Sequence, residues 1–151
     1  MDINLIYRTY DEDLINSVVK PLIIDVVEDD TIDDCFDLDV NKDCWLSCEI
    51  DGDFKGLFHV KAFNRTTLDL HCYVLKDKRK HSKKCGEMAI NWINESAPKM
   101  YKKIITQAPS IYPHVKKYVL SLGFELEGTY KNSFTKTGKV WDLRLFGLSR
   151  G

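Results

Sequence analysis

Residues 68–93 read LDLHCYVLKDKRKHSKKCGEMAINWI. Leu68, Leu70, Cys72 and Val74 alternate with Asp69, His71 and Tyr73, the period-two pattern of a strand with one apolar and one polar face. From Cys85 the period changes. Cys85, Met88, Ala89, Trp92 and Ile93 follow the i, i+3, i+4, i+7, i+8 spacing of an apolar helical stripe, which predicts a helix over 82–94. The join, Lys76 to Lys84, holds six basic residues in nine positions. A basic loop between a strand end and a helix start gathers backbone N–H groups, the positive end of the helix dipole and ammonium groups at one spot, an arrangement suited to a phosphate or pyrophosphate. A solvated, lysine-rich turn has the same composition. The polar strand face is a second signal, because polar groups inside a sheet are costly unless a partner or a ligand cleft satisfies them.

Working outward, residues 4–10 predict a strand, and Asp11 is placed to cap a helix through Val19, with Glu12 and Asp13 in its first turn. Pro21 is expected to end or restart that helix, with Leu22 to Val27 as a second short one and 28–43 as an acidic loop. Cys44 to Ile50 and Phe54 to Phe63 flank Asp51-Gly52-Asp53, a hairpin signal. Beyond the central helix come a strand at Lys103–Gln107 and a short helix bracketed by Pro113 and Gly123, with Val115, Tyr118, Val119 and Leu122 on its apolar face. Phe124–Ser133 and Lys139–Leu148 then form a terminal hairpin. Strand-helix-strand alternation in the second half of an otherwise antiparallel order implies one local parallel pair, hence a mixed α/β (α+β) layer fold in a single domain, 1–151.

Composition narrows the class. The chain is 44% hydrophobic and 30% charged, and no apolar run approaches the roughly 20 residues of a membrane span. The start MDINLIYRTYDED lacks the order of a signal peptide, so a cytoplasmic place, or one inside a particle, is expected. Five cysteines without a Cys-x-x-Cys pair are expected to be reduced packing residues rather than a disulfide framework or a metal site. A net charge of −1 and a basic run without interleaved aromatics argue against nucleic acid. Nine acidic residues and one lysine lie between Asp25 and Asp43, opposite in sign to the basic run, which points to one anionic and one cationic partner.

From Leu68 onward the sequence resembles the GCN5-related N-acetyltransferase (GNAT) superfamily, especially its ribosomal-protein alanine acetyltransferase branch and related small proteins encoded by bacteriophages. The points of likeness are Val74-Leu75-Lys76-Asp77-Lys78-Arg79 running into Arg79-Lys80-His81-Ser82-Lys83-Lys84, the helix SIYPHVKKYVLSLGF (110–124) with its Leu-Gly-Phe ending, and the closing GFELEGTYKNSFTKTGKVWDLRLFGL (123–148). Ser82 and Lys84 stand where the family motif has small residues, Tyr112 where many relatives have an asparagine, and Val119 where many have a tyrosine that protonates the departing thiolate.

The resemblance implies a mostly antiparallel sheet of about seven strands with helices on both faces, and acetyl-CoA as donor. Val74, Arg79, Lys80, His81, Ser82, Lys83, Lys84 and Tyr112 would line the cofactor, with the amides near Val74 polarising the thioester carbonyl. On the polar face of the fourth strand, His71 titrates nearest neutral pH and, with Asp69, is the candidate base for the incoming amine. The acceptor would be a protein N-terminus, a lysine, a small amine or a basic protein tail. A virion or host-interaction protein that keeps the fold without turnover is the rival reading. Cys72 and Cys85 fall on apolar faces with no adjacent base, which argues against a thiol nucleophile.

Overall fold

Asp51 and Gly52 both adopt positive φ, 55° and 79°, the conformation that a two-residue hairpin turn demands and that an Asp-Gly pair accepts readily. The turn joins β2 (Cys44–Ile50) to β3 (Asp53–Ala62). A computed structural model of the chain describes residues 3–24, 27–30 and 38–150, with backbone only at 76–78. With β1 (Asn4–Arg8) and β4 (Thr67–Val74), the hairpin makes a four-stranded antiparallel half-sheet. The second half holds β5 (Lys103–Pro109), β6 (Glu125–Lys136) and β7 (Lys139–Ser149). All seven strands form one sheet in the order β1-β2-β3-β4-β5-β7-β6, and β4–β5 is the parallel pair.

Helices cover both faces. On one side α1 (Glu12–Ile23) packs Ile15, Val18 and Val19 against Trp45, Leu57 and Tyr73. On the other, α2 (Ser82–Ser96) and α3 (Pro113–Ser121) enclose a larger core that includes Cys48, Phe58, Cys85, Ile93, Ile104 and Phe146. Cys48 and Cys85 are fully buried there, as small apolar residues tend to be. The cysteines at 44, 48, 72 and 85 are all free thiols, while Cys35 lies outside the described residues.

Two expectations fail locally. Pro21 lies inside α1 instead of ending it. The bond that proline cannot donate would run to the carbonyl of Ser17, and both residues are exposed, so water can satisfy that carbonyl. Leu22 and Ile23 accordingly complete α1 and do not begin a second helix, while Asp25 and Val26 lie outside the described residues. The basic join is no open loop either. Lys76–His81 winds as a 3-10 helix that runs directly into α2.

The C-terminal end of α2 is closed by Arg150. Its guanidinium donates to the carbonyls of Ile93 (3.0 Å), Ala97 (3.2 Å), Pro98 (3.0 Å) and Tyr101 (2.6 Å), placing a cation at the negative end of the helix. Replacing Arg150 by Met keeps the apolar stem and removes every donor. We expect a loss of about 2 kcal/mol in urea unfolding with an unchanged m-value.

Candidate active site

β4 and β5 are joined by only three residue pairs, Thr67–Lys103, Leu68–Ile104 and Asp69–Ile105. Beyond them the strands part. The amide of Phe63 donates to the Thr67 carbonyl and that of Leu75 to the Lys55 carbonyl, and the β3–β4 register between those points is unbroken. The odd-numbered residues of β4 therefore direct their peptide groups to β3, and Leu68, Leu70, Cys72 and Val74 direct theirs toward β5. Past Asp69 the ladder no longer meets them. At the vertex, the Thr106 hydroxyl donates to the Leu70 carbonyl at 2.9 Å, where a regular ladder would bring a backbone amide.

The gap opens the sheet from face to face and leads into a cleft of about 950 Å³. On the α2–α3 face its lining includes Cys72, Arg79, Ser82, Val115, Tyr118 and Leu122. On the α1 face it includes Leu22, Val27, Glu28, His71, Tyr73 and Phe134. The opening between the strands connects the two sets of side chains.

On the α1 face, His71 Nε2 lies 3.1 Å from Asp69 Oδ2, and the second oxygen of the buried Asp69 carboxylate has no hydrogen-bond partner. His71 is half-buried and borders the cleft, with Asp69 behind it. Directly across β3, His59 pairs with His71, and its ring stacks on Trp45 at 4.3 Å. His59 Nε2 is 3.2 Å from Asp43 Oδ2. Burial pushes the His59 pKa down, against the pull of Asp43, so the ring is stabilised as neutral imidazole.

On the opposite face, the Tyr118 hydroxyl donates to the Ser82 carbonyl at 2.8 Å and lies 3.8 Å from Cys72 Sγ. Burial raises the pKa of this phenol, so it stays protonated. Burial likewise pushes the Cys72 thiol up to about 12, although the Tyr118 hydroxyl and the Val74 amide favour the thiolate. Such a thiol is not an activated nucleophile.

No family model matches this sequence, and neither does any curated protein. Solved structures do resemble it. A GNAT-family acetyltransferase from Streptococcus pneumoniae superposes with a TM-score of 0.74 at 16% identity, over 99% of this chain and 100% of the other. The fold is that of the GNAT acetyltransferases. The structure of yncA from Salmonella typhimurium with its cofactor acetyl-CoA gives a TM-score of 0.72 at 15% identity, covering 98% and 94% of the two chains. Spermidine N-acetyltransferase from Vibrio cholerae, in complex with CoA and spermine, gives 0.65 at 14%, covering 95% and 77%.

Within this GNAT fold the residues singled out from sequence divide. Val74, Arg79, Ser82 and Tyr112 border the cleft together with His71. Lys80, Lys83 and Lys84 are exposed, His81 is half-buried at the N-cap of α2, and none of these four is among the cleft-lining residues. The expected fan of free amides at 80–84 is reduced as well, because the Ser82 amide donates to the Arg79 carbonyl. The helical run begins at Leu75, so its unsatisfied amides lie one turn and more upstream. Tyr112 caps α3 and touches His114 edge-on. Sequence reasoning missed Glu28, Thr106, Gln107 and His114, and it read Tyr118 only as a core residue. The register that sets His59 against His71 was readable in principle from the short 63–66 turn.

Two outcomes follow. A Cβ at Gly86 would lie 2.6 Å from Tyr118 Oη and 2.8 Å from the Leu122 methyls. Gly86→Ala should therefore cost roughly 1–3 kcal/mol in unfolding experiments despite its better helix propensity, and adding Tyr118→Phe should recover part of the loss. For His59, whose folded pKa lies below its ordinary value near 6.5, the unfolded chain binds the extra proton under acid conditions. Stability should fall as pH drops below about 6.5 toward the folded pKa, by at most about 1.4 kcal/mol per pH unit from this group, and His59→Gln should flatten that fall.

Proposed function

We propose that the chain is an acetyl-CoA-dependent N-acetyltransferase that moves the acetyl group directly from CoA to an amine. The observation behind this reading is the through-sheet opening: it puts an imidazole–carboxylate pair on one face and a phenol, an arginine and unladdered β4 peptide groups on the other. The acetyl-CoA and CoA held by GNAT-fold structures of similar shape support the same donor.

In this reading the pantetheine arm enters from the α2–α3 face and lies along the peptide groups of Cys72 and Val74. Arg79 and the 3-10 helix face the pyrophosphate, with Ser82 and Tyr112 at the cleft edge. The amine enters from the α1 face. Its nitrogen attacks the acetyl carbonyl carbon, a nearby β4 amide stabilises the oxyanion, and His71, oriented by Asp69, takes the N–H proton. The carbon–sulfur bond then breaks and the thiolate takes a proton, for which the Tyr118 hydroxyl is the candidate donor. The products are the N-acetylated amine and free CoA. Tyr118 belongs to the same helix as Val119, the position singled out from the family pattern, but its hydroxyl is directed to the Ser82 carbonyl.

A second reading, a binding protein without turnover, has one observation in its favour. The Ser82 amide, at the position of a motif glycine, is already bonded to Arg79 and not free for phosphate. Activity separates the two. We expect release of CoA thiol with a small amine as acceptor, and His71→Ala should lower kcat by about 10²–10⁴-fold with little change in acetyl-CoA affinity. Saturable acetyl-CoA binding without turnover would favour the binding reading. Absence of binding at millimolar acetyl-CoA would sink both the donor and the mechanism.

A further inference from the structure

The α1 side of the cleft has a lining and a cover that narrow the choice of amine. Leu22, Ile23, Val27, Phe134 and Leu143 give it apolar walls, and among the described lining residues Glu28 alone bears a negative charge. Glu28 is also fixed in place. Its Oε2 accepts the Thr135 amide at 2.9 Å. Next to it, the Asp29 amide donates to the Thr135 carbonyl (2.9 Å), the Gly138 amide to Asp29 Oδ2 (3.0 Å), and Lys136 Nζ to the Val27 carbonyl (2.8 Å). These four bonds tie residues 27–30, which follow the helix over β3 and β4, to the tip of the β6–β7 hairpin at the far edge of the sheet. The segment is thus a strap spanning the acceptor side.

We infer that the acceptor is a primary monoamine attached to a bulky apolar or aromatic group. This rests on the acetyltransferase reading and names its second substrate class. The apolar body leaves water for the walls formed by Leu22, Ile23, Val27 and Phe134, and the ammonium meets the Glu28 carboxylate; it loses one proton to solvent to become the neutral nucleophile, and on attack the nitrogen gives its second proton to His71. A polyamine would bring its additional ammonium groups against the same apolar walls, where each loses hydration. The amine bound in the Vibrio cholerae structure, spermine, is of that other kind.

The test uses the full chain with 2-phenylethylamine and spermidine as acceptors and CoA-thiol release as the readout. We expect kcat/KM for 2-phenylethylamine to exceed that for spermidine at least about 10-fold. Glu28→Gln removes the charge yet keeps a side-chain oxygen for the Thr135 amide, so the strap should stay in place. In that variant KM for 2-phenylethylamine should rise about 10-fold while acetyl-CoA affinity is unchanged. A preference for spermidine, or an unmoved KM in the variant, overturns the inference. Direct binding of 2-phenylethylamine, followed by NMR with and without CoA, separates this claim from the catalytic one. Saturable binding that weakens about 10-fold in Glu28→Gln supports the acceptor class even if no turnover is seen. Lack of saturable binding in both conditions overturns the class even if acetyl-CoA binds well.

Discussion

Three residue pairs join β4 to β5, and then the ladder stops while both strands continue. In a closed sheet the peptide groups of Cys72 and Val74 would be bonded to β5 and hidden. Here they face a cleft, because the backbone pattern of β4 alternates and only its odd-numbered residues are committed to β3. A fork of this kind leaves backbone donors and acceptors needing partners, and the Thr106 hydroxyl supplies one of them at the vertex by donating to the Leu70 carbonyl. Everything proposed for function depends on that opening. It connects the two faces of the sheet, which lets a donor and an acceptor approach from opposite sides and meet at the centre.

The walls on either side are held by different means. On the α2–α3 face, the absence of a side chain at Gly86 permits Tyr118 and Leu122 to come close to α2, and the Tyr118 hydroxyl closes onto Ser82 where the 3-10 helix gives way to α2. On the α1 face, His71 ends a row of rings across three strands, Trp45, His59 and His71, with Asp43 and Asp69 beside the two imidazoles. The half-buried His59, held toward the neutral form, gives His71 a neighbour that adds no positive charge near neutral pH, which suits the base role proposed for it.

How much of this was legible in the sequence varies with the range of the interactions involved. The change from period two to the helical period between Val74 and Cys85, the Asp51-Gly52 turn and the alternating closing hairpin are local signals, and each element formed where they indicated. So did the polar face that carries Asp69 and His71. Pro21 misled because the hydrogen bond it removes falls on a solvated face of α1. The lysines of the basic run suggested a loop, since nothing in their spacing distinguishes a 3-10 helix from a turn. The fork has no signature in side-chain alternation, because strands that pair and strands that part present the same pattern. Glu28 was hidden among nine acidic residues, and only its bond to Thr135, more than a hundred positions away, singles it out.

The most direct measurement of the central claim is residue-by-residue amide hydrogen exchange along β4, with and without acetyl-CoA. The structure requires slow exchange at His71 and Tyr73, which bond to β3, and faster exchange at Cys72 and Val74, which face the fork. Acetyl-CoA should then slow Cys72 and Val74 selectively, giving all four amides comparable protection. Uniform protection of the four amides in the free protein would contradict the fork, and unchanged exchange at Cys72 and Val74 with saturating acetyl-CoA would contradict the place assigned to the donor.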